Sequence, residues 1–372
     1  MKKILITSTD MMMMQFLIPH VLYLREQGYD VDVACSEVGG RFQEIEEAIG
    51  ADKLYRVRLV RNPFNPSNIK GLKDLKRIIS GGNYDLVWTN EPVMGVMTRI
   101  AARKARKRGT KVMYMVHGFH FFIGAPKKNW ILYYPIEKLM SSKTDVIVTI
   151  NNEDYVRAKN LNCKSVEYIH GIGINTSRLS QNANVNSIRE ELGLSDGDFI
   201  IISIGELNQN KNQEVIINAL GGLKDKTIHY LMCGKGTNRE KLSERVEALG
   251  LNGNVHFLGY RKDVVDICSQ SDVFVMPSKR EGLPVATLEA MYCGLPLITS
   301  TCRGIVDVME NGITGFMYKF SDIDGFKEGI LRLKNDSALR ISMGEINRER
   351  VKPYCIESTK VEIVEVINKI LE

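Results

Sequence analysis

The chain has 372 residues, 44% hydrophobic and 25% charged, a composition typical of a globular protein with about two domains. No run of about eighteen apolar residues is present, which argues against a membrane-spanning helix. The seven cysteines are scattered without a C-x-x-C pair, which argues against a disulfide framework and favours a reduced, cytoplasmic protein. The net charge of +6 is uneven, because residues 1–175 carry 26 Lys and Arg against 17 Asp and Glu.

Short apolar runs alternate with amphipathic segments in the first half of the chain. The predicted strands are KKILITST, YDVDVACS, KLYRVRL, DLVWTN, KVMYMVHG, DVIVTIN and SVEYIH, and helical segments such as IKGLKDLKRIISGG lie between them. Continuous apolar strands alternating with helices predict a parallel sheet covered on both faces. The first turn, TSTDMMMMQF, has no G-x-G-x-x-G, which argues against NAD binding.

The same alternation restarts after about residue 195 with FIIISIGEL, TIHYLMCG, NVHFLGY, VFVMPS and LPLITS. A polar stretch rich in Asn, Ser and Gly, HGIGINTSRLSQNANVNSIREELGLSDGD, separates the halves and is the predicted connection between domains. The final ESTKVEIVEVINKILE has the apolar spacing of a packed helix. Ligands of such sheets bind at the carboxyl ends of strands, and a cleft between two such domains is the expected site.

One basic segment, TRIAARKARKRGTK, concentrates positive charge. Helical spacing puts Arg99, Arg103, Arg106 and Lys107 on one face. Such a face is either solvated, closing a helix with favourable dipole interactions, or it contacts an anionic membrane surface or a phosphorylated acceptor. Nucleic acid is disfavoured, because no aromatic residues alternate with the charges.

The segment SKREGLPVATLEAMYCGLP predicts an anion site after a strand. Pro284 suits the first turn of a helix, and Gly282 allows backbone to approach a ligand closely. Free N–H groups at that helix terminus would bind a diphosphate. Glu281 at its mouth and Glu289 inside the helix could accept hydrogen bonds from sugar and ribose hydroxyls. Solvated helical glutamates are the alternative.

Two further strand-to-loop turns carry glycine with lysine. ISIGELNQNKN places Gly205 and Lys211 after a strand, and LMCGKGTNRE places Gly234, Lys235 and Gly236 before a helix. Each is a plausible pyrophosphate contact, although glycine is common in turns. Neither matches the P-loop sequence G-x-x-x-x-G-K-[ST].

EGLPVATLEAMYCGLPLITS, followed by DVMENGITGFMY, resembles the retaining glycosyltransferases of family 4, whose signature is two glutamates eight positions apart followed by Ala-Met-x-x-Gly-x-Pro. VHGFHFFIGAPKKNWILYYPIEKLMSSKTDVIVTINNEDY is similar to the bacterial subgroup that builds capsular polysaccharide and exopolysaccharide. The resemblance covers nearly the whole chain. It implies an α/β protein of the GT-B fold, with two Rossmann-like domains facing a central cleft.

The expected domains are an acceptor-binding domain at 1–175, a nucleotide-sugar-binding domain at 176–352, and a terminal helix at 353–372 that crosses back onto the first domain.

Site residues carry over from this resemblance by position. It implies catalytic roles for His117 and Glu281 near the donor sugar and for Lys211 at the diphosphate, and it places Glu289 on the ribose. One departure is Glu206, which stands where many members have arginine. The full donor-side set is Gly205, Glu206, Lys211, Gly234, Arg261 (near the base), Glu281, Gly282, Leu283, Pro284 and Glu289.

The acceptor side is expected to use Met12, Met13, His120 and His170. The methionines of DMMMMQFLIPH lie at the first strand-to-helix turn, either as plastic core or as a flexible apolar surface for a lipid-linked acceptor. His120 lies in an aromatic loop, and His170 precedes Gly-Ile-Gly. No His, Asp or Glu spacing suggests a metal cage.

The resemblance to family 4 implies a retaining, metal-independent hexosyltransferase without a cofactor. It would move a sugar from a nucleotide-diphospho-sugar, expected to be a UDP-sugar, to a lipid-diphosphate-linked saccharide. The expected location is cytoplasmic, peripheral at an anionic membrane surface. Two alternatives stay open, namely a UDP-sugar epimerase on the same fold and a non-catalytic subunit of a polysaccharide assembly complex.

Overall fold

The structure, a computed structural model, describes residues 1–9, 11–38, 40, 42–179 and 187–372. The chain divides into two compact units. Unit 1 comprises Met1–Gly173 and Ile356–Glu372, and unit 2 comprises Ile174–Cys355. The sequence placed the limits at residues 175 and 352. Residues 180–186 of the predicted connection lie outside the described residues.

Unit 1 alternates strands and helices along its first segment and receives one more helix from the end of the chain. Its elements are β1 (Lys3–Ser8), α1 (Met11–Glu26), β2 (Asp30–Cys35), α2 (Phe42–Ile49), β3 (Leu54–Arg56), α3 (Asn68–Gly82), β4 (Leu86–Asn90), α4 (Pro92–Ala101), α5 (Arg103–Arg106), β5 (Lys111–Val116), α6 (Lys127–Ser141), β6 (Val146–Thr149), α7 (Asn152–Ala158) and β7 (Ser165–Tyr168).

Unit 2 repeats the alternation. Its elements are α8 (Thr176–Leu179), α9 (Ile188–Leu192), β8 (Phe199–Ile204), α10 (Glu214–Leu223), β9 (Ile228–Cys233), α11 (Arg239–Ala248), β10 (Val255–Gly259), α12 (Val264–Ser269), β11 (Val273–Met276), α13 (Val285–Tyr292), β12 (Leu297–Ser300), α14 (Ile305–Val308), β13 (Gly315–Tyr318), α15 (Ile323–Asn335) and α16 (Ser337–Arg350). The last helix of the chain, α17 (Ile356–Leu371), belongs to unit 1.

Each unit is built on one parallel sheet. The order is β3-β2-β1-β4-β5-β6-β7 in unit 1 and β10-β9-β8-β11-β12-β13 in unit 2. Both sheets grow outward in both directions from a first central strand, so each has a point where the strand order reverses. Loops at the carboxyl ends of the central strands meet there, as in doubly wound folds that bind nucleotides. The predicted fold of two Rossmann-like α/β domains is confirmed.

Alternate side chains of the unit 2 strands enter two separate apolar clusters. In β8, Phe199 and Ile201 join one cluster, whereas Ile200 and Ile202 join the other. β11 divides its residues in the same way. A strand with both faces buried must be apolar at every position, which explains the continuous runs in the sequence.

The terminal helix packs on unit 1, as predicted. α17 contacts α1, and Glu362 accepts hydrogen bonds from the backbone N–H of His170 and from its ring Nδ1. Near the helix start, an added Cβ on Gly173 would lie 2.6 Å from the Ile356 Cα, so the chain passes α17 too closely for any side chain at that glycine. His170, predicted to be on the acceptor side, therefore fixes the C-terminal helix.

Two strands differ from their predictions. KLYRVRL was expected to form one strand, but β3 is confined to Leu54–Arg56 at the edge of the sheet. β13 was not predicted, because GFMY is short and begins with glycine, a residue with low β propensity. An added Cβ on Gly315 would meet the Leu297 carbonyl oxygen at 1.9 Å, so close backbone pairing requires glycine there.

The predicted basic face is wrong for two of its four residues. Arg99 is fully buried, and its guanidinium donates to both carboxylate oxygens of Glu137 at 2.9 and 3.0 Å. Arg106 pairs with Asp145 at 3.1 Å. Arg103 and Lys107 are exposed. The helix also breaks between α4 and α5, so a single continuous basic face does not form.

Within the described ranges, no helix combines the length and apolarity required to cross a bilayer.

The buried Arg99–Glu137 pair gives a stability prediction. Arg99→Ala would leave the carboxylate of Glu137, only 5% exposed, without its guanidinium partner. We expect the free energy of unfolding to fall by about 3–5 kcal/mol, measured by denaturant titration. Arg108→Ala, at an exposed position, should change it by less than about 0.5 kcal/mol. Equal unfolding midpoints for the two variants would show that the Arg99–Glu137 pair does not contribute to the stability of the fold.

Candidate functional site

The loops after β8 and β11 meet because these strands are neighbours in the sheet. Lys211 from the first loop donates its Nζ hydrogen to Glu281 Oε1 of the second at 2.9 Å. The side chains are 22% and 12% exposed. The lysine stem lies over the end of β8, where an added Cβ on Gly205 would be 3.2 Å from the lysine Cε. The structure thus brings together Gly205, Lys211 and Glu281, three residues of the predicted donor-side set.

Asparagines hold this ion pair in place. Asn208 Oδ1 accepts from the backbone N–H groups of Asn210 and Lys211, both at 2.9 Å. Asn210 then links the two loops, because its side chain donates to the Arg280 carbonyl at 3.0 Å and its carbonyl accepts from the Lys279 N–H at 2.8 Å. Lys211 is therefore presented from a loop with a fixed backbone.

Glu206 stands at the position where an arginine was expected, and it forms hydrogen bonds within its own loop. Its carboxylate accepts from the Asn208 side chain at 3.0 Å, and its carbonyl accepts from Gln213 at 3.0 Å. Arg303 is a cation that the sequence analysis missed. It follows β12 at the same edge, and its Nε donates to the Glu281 carbonyl at 3.2 Å. The available signal was the arginine followed by glycine directly after a predicted strand.

Several glycines are required by close backbone contacts, without any ligand. A Cβ on Gly234 would lie 1.8 Å from the Gly205 carbonyl oxygen, and one on Gly236 would lie 2.2 Å from the Leu207 carbonyl oxygen. Gly304, at a φ of 79°, packs in the same way on the Gly282 carbonyl. These contacts bring the loops after β8, β9, β11 and β12 together at one edge.

The helix behind the loop starts as predicted. Pro284 is the buried N-cap residue of α13, and no side chain caps that terminus. Leu283 is partly buried, just before the cap. First-turn N–H groups of α13 and the positive end of its dipole therefore lie beside Glu281. Glu289, the fifth residue of α13, is 9% exposed, which is not the state of a solvated glutamate.

Arg261 has its donors engaged by two carboxylates. It forms hydrogen bonds to Glu191 at 2.8 and 3.0 Å and to Asp263 at 2.8 and 2.6 Å. These carboxylates raise the pKa of the guanidinium. The resemblance implied that Arg261 lies near the nucleotide base. In that role its N–H donors would be shared between the base and the carboxylates of Glu191 and Asp263.

At the edge of the unit 1 sheet, His117 directly follows β5. Asn90, fully buried at the end of β4, donates Nδ2 to the Thr7 carbonyl at 3.1 Å, so its Oδ1 faces the imidazole. The His117 Nε2 lies 3.0 Å from this oxygen and must carry the hydrogen. Burial lowers the pKa of His117 to about 4. The ring is therefore neutral at neutral pH, with its Nδ1 lone pair available as an acceptor.

Glu91 was missed by the sequence analysis. It directly follows Asn90, the hydrogen-bond partner of His117, and its backbone is strained. Its φ of 63° is rare for a residue with a side chain. The carboxylate accepts from Ser8 Oγ at 2.7 Å and from the Thr9 N–H at 2.6 Å, which ties the ends of β1 and β4 together. Strain of this kind concentrates at functional sites. The available signal was the sequence TNEP at the end of a predicted strand.

His120 lines an apolar pocket of about 360 Å³ in unit 1. Its ring packs on Tyr133 with centroids 4.5 Å apart, and Phe64 and Ile136 also line the pocket. Glu91 and Thr9 add polar groups at the sheet edge. Such a pocket, mostly apolar with a few polar groups, is typical of ligand sites.

The methionine run begins α1 and divides between core and surface. Met11 and Met14 are fully buried, Met13 is partly buried, and Met12 is 44% exposed. Two of the four methionines therefore serve as core packing, and Met12 offers the apolar surface considered in the sequence analysis. In the part of the chain that the structure describes, no group of three His, Cys, Asp or Glu could hold a metal ion.

Comparisons with known proteins agree with the motifs. The family profile "Glycosyltransferase Family 4" matches residues 20–178, and "Glycosyl transferases group 1" matches residues 184–350. EpsD of Bacillus subtilis (strain 168) is 35% identical over 378 residues, which cover 100% of this chain and 97% of EpsD. The chain belongs to glycosyltransferase family 4. It falls in the bacterial polysaccharide subgroup of this family, as the motifs predicted.

Two further relatives extend the comparison. The Escherichia coli UDP-Gal:alpha-D-GlcNAc-diphosphoundecaprenol alpha-1,3-galactosyltransferase is 27% identical over 328 residues, covering 86% of this chain and 83% of the relative. The crystal structure of Anabaena Alr3699/HepE in complex with UDP and glucose has a TM-score of 0.82 at 16% identity, covering 99% of this chain and 100% of that one. This likeness establishes the GT-B fold for the family 4 chain.

The buried His117 ring gives a pH prediction. NMR titration of the imidazole signals should show two resonances with a pKa of about 4, those of His20 and His117, and one of the two should disappear in His117→Gln. The unfolded state would bind its proton near pH 6.5, so stability is lost as the pH falls from about 6.5 to about 4. His117→Gln should lose less stability over that interval, measured by melting temperature. A His117 pKa near 6.5 would contradict this burial.

Proposed function

We propose that this glycosyltransferase moves a hexose from a nucleotide-diphospho-sugar, with UDP as the nucleotide, to a lipid-diphosphate-linked saccharide, with retention of the anomeric configuration. The reaction would serve the assembly of a bacterial surface polysaccharide. The observation that carries the proposal is the Lys211–Glu281 pair beside the uncapped N-terminus of α13.

Positive charge converges where a diphosphate would leave. Lys211 Nζ, the first-turn amides of α13 and Arg303 all lie around the Glu281 loop. Glu281 neutralises the lysine and holds its Nζ at the sheet edge. A donor diphosphate would share the lysine, and developing negative charge would strengthen that contact in the transition state. Glu281 would then hold a sugar hydroxyl.

The proposed chemistry is a same-face displacement. The acceptor hydroxyl oxygen forms a bond to the anomeric carbon as the bond from that carbon to the phosphate oxygen breaks. The bonding electrons leave with the diphosphate, and the hydroxyl proton passes to the departing phosphate oxygen on the same face. His117, held neutral by burial, would accept a hydrogen bond from a donor sugar hydroxyl at Nδ1 and so orient the sugar.

Protein cations would supply the charge stabilisation, and no cofactor is proposed. We suggest that Arg303 takes the role of the arginine replaced by Glu206, because it reaches the Glu281 loop from the neighbouring strand β12. Transfer should accordingly continue at an unchanged rate in EDTA.

The names of similar proteins support the substrate classes. The Escherichia coli relative takes UDP-Gal and a diphosphoundecaprenol-linked acceptor, and the Anabaena structure holds UDP and glucose. An acceptor anchored by a lipid lies at a membrane surface. We therefore propose that the enzyme associates peripherally with the cytoplasmic face of the membrane.

Alanine variants of the ion pair test the catalytic proposal. Lys211→Ala and Glu281→Ala should each lower kcat for sugar transfer by about 10²–10³-fold, because the first removes a preorganised positive charge at the diphosphate and the second removes the contact that positions the donor sugar. The measurement is release of UDP with a lipid-diphosphate-linked saccharide as acceptor. Lys241→Ala is the matched control, since it removes a surface lysine that pairs with Glu214 at 2.7 Å.

Unchanged melting temperatures would show that the variants are folded. Near-normal transfer by both Lys211→Ala and Glu281→Ala would overturn the proposed mechanism. Conversion of the UDP-sugar without any acceptor would favour an epimerase, and absence of nucleotide binding by calorimetry would favour a non-catalytic subunit.

Binding of nucleotides separates the roles of individual residues. UDP should raise the melting temperature, because it binds the folded state. Lys211→Ala and Arg303→Ala should weaken UDP by about tenfold or more and reduce its advantage over UMP, since each removes a charged contact to the second phosphate. Glu289→Ala should weaken UDP and UMP equally, since it would contact the ribose.

A preference for GDP over UDP would change the assigned nucleotide. UDP should bind Glu289→Ala more tightly than UMP does. If Glu289→Ala lost this difference in affinity and Lys211→Ala kept it, the proposed placement of the diphosphate would be contradicted.

A further inference from the structure

Helix α6 presents an unusually apolar stripe to solvent. Ile131 is 76% exposed and Leu139 is 62% exposed, and they lie eight positions apart on the same helical face with exposed Pro135 between them. Ile123, in the loop that leads into α6, is 79% exposed. Exposed apolar residues scattered singly are normal, but several in one short segment indicate an interaction surface.

The exposed charges of the same helix are all positive. Lys127, Lys128 and Lys138 are exposed, whereas Glu137, the one acid of α6, is buried against Arg99. Burial of Glu137 therefore removes the negative charge from the surface and leaves three lysines around the apolar stripe. An apolar face bordered by lysines is the pattern of a helix that lies in the interface of an anionic membrane.

Aromatic residues on α6 fit the same environment. Trp130 and Tyr134 are partly buried, so each combines a packed ring with an accessible part. Trp and Tyr concentrate at membrane–water interfaces, because their rings are apolar and their polar atoms prefer water. With 15 residues, α6 is about 22 Å long and too short to span a bilayer.

The opposite side of α6 lines the apolar pocket. Leu132, Tyr133 and Ile136 form one wall, and Phe64, 74% exposed, also lines the pocket. The pocket continues to Glu91 at the carboxyl edge of the sheet. A lipid surface touching the outer stripe of α6 would therefore lie next to a pocket that leads to the sheet edge.

Two of the other surfaces each lack one of the two features. The basic residues Arg103 and Lys104 are exposed, but the neighbouring Ala101, Ala102 and Ala105 are buried, so this segment offers charge without an apolar face. Ile341 on α16 is 64% exposed in unit 2 and offers apolar surface at a single position.

We propose that α6 and the loop before it, residues 119–141, form a membrane-docking surface that inserts Ile123, Ile131 and Leu139 among anionic lipid headgroups. The proposal deepens the proposed function, on which its choice of a lipid partner rests. The lysines of α6 contact the headgroup phosphates, and the pocket behind the helix faces the lipid from which an acceptor would come.

Vesicle sedimentation with the full chain tests this surface. Wild type should bind phosphatidylcholine vesicles containing phosphatidylglycerol more tightly than vesicles of phosphatidylcholine alone. The double variant Ile131→Ser/Leu139→Ser should lose about tenfold or more in partition coefficient, because apolar area no longer enters the lipid. Lys127→Gln/Lys128→Gln should lose about fivefold for each lysine on phosphatidylglycerol vesicles at low salt, and less at high salt.

Each variant has a matched control. Ile341→Ser removes an exposed isoleucine from unit 2, and Arg103→Gln/Lys104→Gln removes two exposed charges from the basic segment that the sequence analysis considered as a possible membrane contact. Both controls should bind vesicles like wild type. The UDP-induced rise in melting temperature should persist in all variants, so vesicle binding and nucleotide binding fail independently.

Three results would overturn the proposal. The first is a wild-type chain that does not bind phosphatidylglycerol vesicles, and the second is loss of binding in Arg103→Gln/Lys104→Gln with no loss in the α6 variants. The third is a wild-type dimer in solution that Ile131→Ser/Leu139→Ser dissociates without changing vesicle binding, since the stripe would then be a contact between two copies of the chain.

Discussion

Burial of both faces of each parallel sheet is the constraint on which the arrangement of this protein depends. Successive side chains of β8 enter the two apolar clusters of unit 2, so none is free to meet a ligand until the strand has ended. The first position with that freedom is Gly205. In unit 1, His117 likewise lies directly after a strand, β5. Chemistry is thereby restricted to the carboxyl edges.

Crowding at that edge explains the local sequence. Loops from neighbouring strands approach backbone to backbone, as Gly234 does against the Gly205 carbonyl, and side chains are excluded at those points. The polar residues that remain must hold one another, since each lies partly out of water. Asparagine does this by hydrogen bonds to backbone, and Lys211 does it by an ion pair with a glutamate seventy positions away. The site is therefore rigid before any ligand arrives.

Much of this could be predicted from the sequence, because the strands and the Glu281 motif have local signatures. Periodicity gave both sheets, and the proline before Val285 marked the start of α13. What could not be predicted depends on contacts distant in sequence. Arg99 resembled a surface cation until Glu137, 38 positions away, was brought against it by folding. Arg303 likewise has only a weak local signal, an arginine before a glycine, and its position beside the Glu281 loop depends on the order of strands.

Backbone conformation was the other feature that could not be predicted from the sequence. Glu91 has a positive φ that could not be predicted from its residue type or from its neighbours in sequence. The hydrogen bonds that its carboxylate accepts from Ser8 and Thr9 explain why this conformation is tolerated. His170 shows a contact that its local sequence does not indicate. A histidine beside glycines after a strand has the local signature of a site, yet it is Glu362 of α17 that it meets.

The return of α17 to unit 1 makes unit 2 an insertion within unit 1. The outgoing and incoming segments pair beside each other through Ile174 and Cys355, so unit 2 is one uninterrupted stretch of chain. A ribosome would release all of unit 2 before it supplied the helix that covers α1. Unit 1, although begun first, would thus be completed last, and its α1 face would stay uncovered until translation ends.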